Sequence, residues 1–311
     1  MDNRKVLAFL MVFVAAVSWA GSGMAAQEFF RITDCDAMRL TNIRMILAGL
    51  LLMPLAWMKG GLQRSWKVLK ERPGLWMDIG IYAVGGILLM QYTYFQGISI
   101  GNAAATTVIC YTCPAMVICY DSVHQRRWPR PAEIMSVLLA IGGIFLMVTG
   151  GDLDSFSVPL ACVAWSLVSA VFFSFSAIYP KHLLLELDQV FLLSVGMLFG
   201  GICSFLLVPE IDWSIFFRPE VFGLVAYIIL GGTALAFLLF NAGLFYLTPE
   251  EATVTGAAEP AAAVILSSVI FGTVFGYVEL LGIAMVLGAI LLPLVESRKD
   301  RTASRKKHAV G

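Results

Sequence analysis

The stretch from Glu251 to Phe271 reads EATVTGAAEPAAAVILSSVIF. It is as long and as apolar as a membrane-spanning helix, which takes about 20 residues. It also carries one carboxylate, Glu259, eight residues in and followed at once by Pro260. At a rise of about 1.5 Å per residue, Glu259 sits about 12 Å deep, near the middle of a hydrocarbon core about 30 Å thick. A charge at that depth costs several kcal/mol, so it needs a partner, a ligand or a water-filled space.

Working outward, nine further segments of the same kind follow one another: Val6 to Ala26, Ala37 to Met58, Leu75 to Phe95, Asn102 to Tyr120, Ala132 to Thr149, Val158 to Ile178, Val190 to Val208, Val221 to Leu247 and Val278 to Val295. Short breaks with turn chemistry separate them, among them Lys59-Gly60-Gly61 and Trp128-Pro129-Arg130-Pro131. The runs are continuous rather than alternating, which argues against a β-barrel. Of the 311 residues, 59% are hydrophobic and 14% charged, against about 25% charged in soluble domains. Mean hydropathy is +0.84. Disorder, collagen, a coiled coil and a secreted disulfide scaffold are excluded, and an all-α membrane protein with ten transmembrane helices is expected. Arg4-Lys5 and the small residues near Gly23 to Ala26 also fit a signal peptide. Against that, the segment is long and its Trp19 takes part in the repeat described next.

A shift of 146 residues lays the chain on itself. Trp19 meets Trp165, Arg72-Pro73 meets Arg218-Pro219, and Gly85-Gly86 meets Gly231-Gly232. Thr107-Val108 meets Thr253-Val254, Pro114 meets Pro260, and Glu133 meets Glu279. The expected organisation is one five-helix repeat over 1–150, a second over 151–297 and a basic tail over 298–311. An odd number of spans inverts the second copy. Inverted repeats are typical of secondary transporters, with the site near the midplane between the halves.

Basic residues in short loops set the orientation. With the N-terminus in the cytoplasm, 17 of the 21 Lys and Arg fall on the inner side and only Arg31 and Arg218 on the outer, while Arg39 and Arg44 lie within the second segment. Both termini are therefore expected in the cytoplasm, at an inner or plasma membrane. The tail, Arg298 to Lys307, reads as an inside anchor or as a lipid-binding arm. A net charge of zero gives nucleic-acid binding no electrostatic support.

At this point the chain resembles the drug/metabolite transporter superfamily, in its EamA-type ten-helix members. The residues that carry the resemblance are Arg44-Met45-Ile46-Leu47-Ala48 running on to Pro54, Glu259-Pro260, Pro114, and the spaced glycines of Gly282 to Gly288. The places where family members often carry Gly-Glu read Tyr120-Asp121 and Gly272-Thr273 here. The resemblance implies export or exchange of small metabolites through a cavity lined by helices one, three, four, six, eight and nine.

Arg44 lies eight residues beyond Asp36, hence also about 12 Å deep. Two opposite charges at one depth should find each other or share a ligand. One reading is a structural ion pair. In the other, Glu259 binds an amine or carries a proton. Trp19, Trp165, Gln91, Tyr94, Thr107, Tyr111 and Asn241 are candidates for the cavity wall, since aromatic and amide groups suit an amphipathic solute. Each can instead serve as packing or an interhelical hydrogen bond. Pro114 and Pro260 are candidate hinges at matching positions. Arg39 is expected to be structural, snorkelling to the outer surface or pairing with Asp36 at i,i+3. No metal or cofactor is expected: there is no H-E-x-x-H and no G-x-x-x-x-G-K-[ST], and the C-x-x-C at Cys110 and Cys113 reads as helix packing.

The expected function is a secondary transporter of a small metabolite, an amino acid or related amphipath, working by alternating access and coupled to protons through Glu259 or purely facilitative. The alternative is an exchanger of anionic metabolites anchored by Arg44. An intramembrane enzyme lacks a nucleophile–base pair, and a membrane sensor or scaffold lacks a sizeable soluble domain.

Overall fold

The fold comes from a computed structural model, which describes residues 3–152, 156–208 and 213–292. Every regular element among them is a helix. Nine are long and apolar enough to cross a membrane: α1 (Arg4–Ile32), α2 (Ala37–Met58), α3 (Leu75–Ile100), α4 (Ala103–His124), α5 (Pro131–Thr149), α6 (Leu160–Leu184), α7 (Gln189–Leu207), α8 (Pro219–Leu244) and α9 (Val254–Phe271). The tenth, α10 (Tyr277–Leu292), is shorter over the described residues. The end of the tenth expected segment and the basic tail lie outside them.

Polar side chains start several helices, because the first N–H groups of a helix have no partner of their own. Asp36 accepts from the Arg39 N–H at 2.9 Å and pairs with its guanidinium at 3.1 Å. Asn102 caps α4 by accepting from Ala105 N–H at 2.8 Å, and Asp188 caps α7 through Phe191 N–H at 3.0 Å.

In a bilayer, lipid tails are as apolar as leucine, so small residues and hydrogen bonds join the helices. Helices α2 and α7 are joined by Asn42, whose amide donates to the Gly201 carbonyl and to Ser204 Oγ, each at 2.8 Å, and by Ser194, which donates to the Gly49 carbonyl at 2.8 Å. Helices α5 and α10 meet backbone to backbone: a Cβ on Gly143 would stand 2.6 Å from the Gly282 carbonyl oxygen. Beside that contact Ser136 Oγ donates to the Ala289 carbonyl at 2.5 Å. One end of the bundle is filled by aromatic rings, with Phe29 of α1 stacked on Phe216 at 5.8 Å and Phe30 edge-on to Phe95 of α3 at 6.3 Å.

The helices depart from α geometry at matching places in the two halves. Helix α3 contains a π-helical stretch, Tyr82–Leu88, and α8 contains one at Tyr227–Leu235. Helix α4 is interrupted at Tyr111 and Thr112 and resumes at Cys113, while the ninth helix is interrupted at Ala257 and resumes at Ala258. Under the 146-residue shift Tyr111 maps onto Ala257. Pro114 and Pro260 sit just past these interruptions, so the helices are broken there rather than simply bent.

Candidate functional site

Irregular backbone is tolerated at membrane depth only where protein buries it or a water-filled cavity borders it. Here both interruptions border one cavity of about 520 Å³, through Tyr111 on one side and Gly256 and Glu259 on the other. Its wall includes residues from the six helices implied by the family resemblance. Arg44 of α2, Gln189 of α7 and Ile290 of α10 also reach it.

Tyr111 Oη donates to Glu259 Oε2 at 2.7 Å and lies 3.1 Å from the Gly256 carbonyl. A phenol has one proton and two lone pairs. When Glu259 is ionised its Oε2 accepts a hydrogen bond from that O–H. When Glu259 carries its own, it can donate to the phenol oxygen, and the phenol proton turns to Gly256. Beside it, Tyr94 and Thr107 share a hydrogen bond of 2.8 Å. Arg44 Nε donates to Thr233 Oγ1 at 2.9 Å, and Thr233 donates to the Ile228 carbonyl at 2.7 Å inside the π-helical stretch of α8. The Arg44 guanidinium carbon stands 5.1 Å from the centre of the Phe95 ring, a cation–π distance. Among the described residues Arg44 and Glu259 make no ion pair with each other. The structural pair weighed from the sequence is not formed, and both charges face one cavity instead.

Trp19, Gln91, Tyr94, Thr107, Tyr111, Pro114 and Asn241 also line the cavity. Trp165 and Pro260 do not. Trp19 packs on Phe237 at 5.3 Å and Phe240 at 5.2 Å, whereas Trp165 meets Tyr92 edge-on at 5.7 Å. Under the 146-residue shift Phe237 and Phe240 fall on Gln91 and Tyr94, so polar groups stand there in place of the shelf that holds Trp19. Tyr82 lies against Gly86 and near Gly196 of α7, with the π-helical stretch between it and Gln91. Cys110 and Cys113 also border the cavity, and Cys110 Sγ donates to the Ser166 carbonyl of α6 at 3.4 Å. Sequence reasoning passed over Ser22, Ser169, Phe173, Gln189, Phe237 and Phe240, which also reach the cavity. The i,i+3 spacing of the two phenylalanines was the available signal.

Three buried acceptors on this wall have no protein partner among the described residues: Ser22 Oγ, Gln91 Oε1 and Asn241 Oδ1. Buried polar atoms left unpaired are costly, and a bound solute or water would satisfy them. The site thus offers a carboxyl, a guanidinium, amide and hydroxyl acceptors, and aromatic faces around one hollow.

The chain matches the EamA-like transporter family over residues 6–149 and 160–295. It is similar to the uncharacterized inner membrane transporter YicL of Salmonella typhimurium, 27% identical over 295 residues that cover 95% of this chain and 97% of that one. The uncharacterized transporter YetK of Bacillus subtilis is 20% identical over 304 residues, covering 95% and 89%. A solved crystal structure superposes with a TM-score of 0.64 at 16% identity, covering 94% of this chain and 98% of that one, a likeness of fold. With apolar helices long enough to cross a bilayer many times, this is a multi-pass membrane transporter. The chain belongs to the EamA-like transporter family.

Proposed function

We propose that the chain is a secondary transporter that exports or exchanges a small amphipathic metabolite, an amino acid or a close relative, by alternating access. The observation that carries this reading is the cavity where the two interrupted helices meet, with Glu259 and Arg44 on one wall system but unpaired with each other. A zwitterion supplies an ammonium for the carboxyl and a carboxylate for the guanidinium, and the Trp19, Phe237 and Phe240 rings suit its apolar part. Interactions of this kind gain strength in a low-dielectric hollow.

Two five-helix repeats, 1–150 and 151–297, are supported by the paired π-helical stretches and the paired interruptions. Cytoplasmic termini are supported by the distribution of Lys and Arg. In that topology Gln189 and Ala252, which reach the cavity, lie at cytoplasmic ends of their helices, and the stacked Phe29 and Phe216 lie at the far end. This suits an exporter loading from inside. The two hydrogen-bonding arrangements open to Tyr111 support proton coupling through Glu259.

Reconstituted protein tests the reading: flux of radiolabelled amino acids and organic anions into liposomes, with and without a pH gradient. Saturable amino-acid flux whose gradient dependence disappears in Glu259→Gln is expected. Flux of organic anions alone, abolished by Arg44→Ala and untouched by Glu259→Gln, would replace it with anion exchange. Absence of any flux, with turnover of a lipid or peptide, would overturn transport altogether.

A further inference from the structure

Between α2 and α3 the chain does not cross directly. Gly60, in a left-handed conformation at φ +70°, turns it into a short helix, Gly61–Glu71. Gly61, Ser65 and Leu69 form one buried stripe, the i, i+4, i+8 face of a helix. That stripe is fixed to the start of α7: the Asp188 N–H donates to Ser65 Oγ at 2.9 Å. The opposite face carries Arg64, Lys67 and Lys70, all exposed, with Lys59 exposed just ahead of the turn.

Among the described residues these four cations make no ion pair. Arg72 differs, being paired with Glu186 at 2.6 Å. Arg64, Lys67 and Lys70 follow at i,i+3 spacing, so like charges adjoin along one face and destabilise it unless an anion intervenes. Glu71 is the acid in the same helix, which leaves the segment net positive. Three tryptophans flank it: Trp57 at the end of α2 is 59% exposed, Trp66 on the helix 48%, and Trp76 at the start of α3 41%. The Trp66 and Trp76 rings meet edge-on at 6.0 Å. Both flanking helices are membrane spans, so the connector lies at the boundary between water and lipid, where tryptophan collects. A basic amphipathic helix with tryptophan at its edge is the chemistry that holds anionic headgroups.

We infer that Lys59, Arg64, Lys67 and Lys70, with the Trp57, Trp66 and Trp76 girdle, form a binding site for anionic phospholipid of the surrounding bilayer. Charge complementarity and the position between two spans commit the site to lipid rather than to a soluble polyanion.

The test is tryptophan quenching in nanodiscs containing a minority of dibrominated phosphatidylglycerol or dibrominated phosphatidylcholine, with no transported solute present. In the wild type, phosphatidylglycerol should quench with an apparent affinity about tenfold higher, an advantage that falls as salt is raised. In the variant Lys59→Gln, Arg64→Gln, Lys67→Gln, Lys70→Gln the advantage should vanish while quenching by phosphatidylcholine persists. Should that variant not fold, Lys67→Glu alone must reduce the advantage. Equal quenching by both lipids in the wild type, or a preference the variants retain, overturns the site. So does loss of the preference to ATP added at equal charge. None of these outcomes bears on solute flux, so the transport reading stands or falls separately.

Discussion

Tyr111 joins the interruption of α4 to Glu259, with 2.7 Å between the phenol oxygen and Oε2, and the Gly256 carbonyl lies 3.1 Å from the same phenol. One side chain thus spans the meeting point of the two broken helices. Tyr111→Phe removes the donor and leaves a buried carboxyl short of a partner, which costs about 1–3 kcal/mol. Thermal unfolding should show that loss, and transport should fall with it. Tyr179→Phe, which removes a 3.0 Å hydrogen bond to the part-exposed Asp78, should change stability by less.

Arg44 is held by geometry as well as by charge, through Thr233 and the face of Phe95. Lysine keeps the charge and loses the planar fork. Arg44→Lys should therefore lose most of the thermal stabilisation given by a carboxylate-bearing solute, which a wild-type binder provides by mass action. Thr233→Val, which removes only the Nε partner, should lose a smaller part. If Arg44→Lys behaves as wild type in ligand-shifted unfolding, the guanidinium is not a carboxylate anchor.

The α5–α10 contact makes a sharp contrast between two glycines. A Cβ on Gly143 would meet the Gly282 carbonyl oxygen at 2.6 Å and the Val286 nitrogen at 3.0 Å, both backbone, whereas Gly288 has nothing within 4 Å. Gly143→Val should lower stability by about 1–3 kcal/mol, and Gly288→Ala should leave it nearly unchanged. Urea or thermal unfolding of the two variants in the same detergent decides it.

Cys35, between α1 and α2, is 6% exposed and its thiol is pushed up to about 12, chiefly by burial and secondarily by the Asp36 carboxylate. A raised value means the thiol stays protonated through neutral pH, with a thiolate fraction on the order of one in ten thousand at pH 8. An impermeant maleimide should leave Cys35 unmodified at pH 8 while labelling Asp34→Cys, whose position is exposed. Prompt labelling of Cys35 would show that the loop opens.

Trp128 and Val274 meet under the 146-residue shift, and they are 93% and 90% exposed. If the halves are inverted, single cysteines at these two places should be labelled from opposite sides of the membrane in intact cells. Labelling of both from one side would remove the inverted repeat.

Most spans were legible from hydropathy, because each stretch must satisfy its backbone within lipid and few residue patterns do so. The polar members of the cavity wall were legible for the same reason: Glu259, Arg44, Gln91 and Asn241 are expensive in hydrocarbon and so mark where it gives way to water. The aromatic members were harder. Trp19 and Trp165 meet under the 146-residue shift, yet only Trp19 reaches the hollow, because the rings they pack on differ: Phe237 and Phe240 for the one, Tyr92 for the other. The π-helical stretches Tyr82–Leu88 and Tyr227–Leu235 each contain one of the matched glycine pairs, Gly85-Gly86 and Gly231-Gly232, but apolar residues surround those pairs and hydropathy alone does not tell a π turn from an α turn. The first of them lies between Tyr82 and Gln91 and shifts the phase of one relative to the other, which is a matter of backbone hydrogen bonding.

Where Gly143 and Gly282 bring two main chains together, the side chains of Val286 and Leu146 close around the contact and leave little room for a lateral shift. Reshaping of the hollow would then leave that seam still and swing the rest of the molecule about it, so α5 and α10 would serve as a fulcrum.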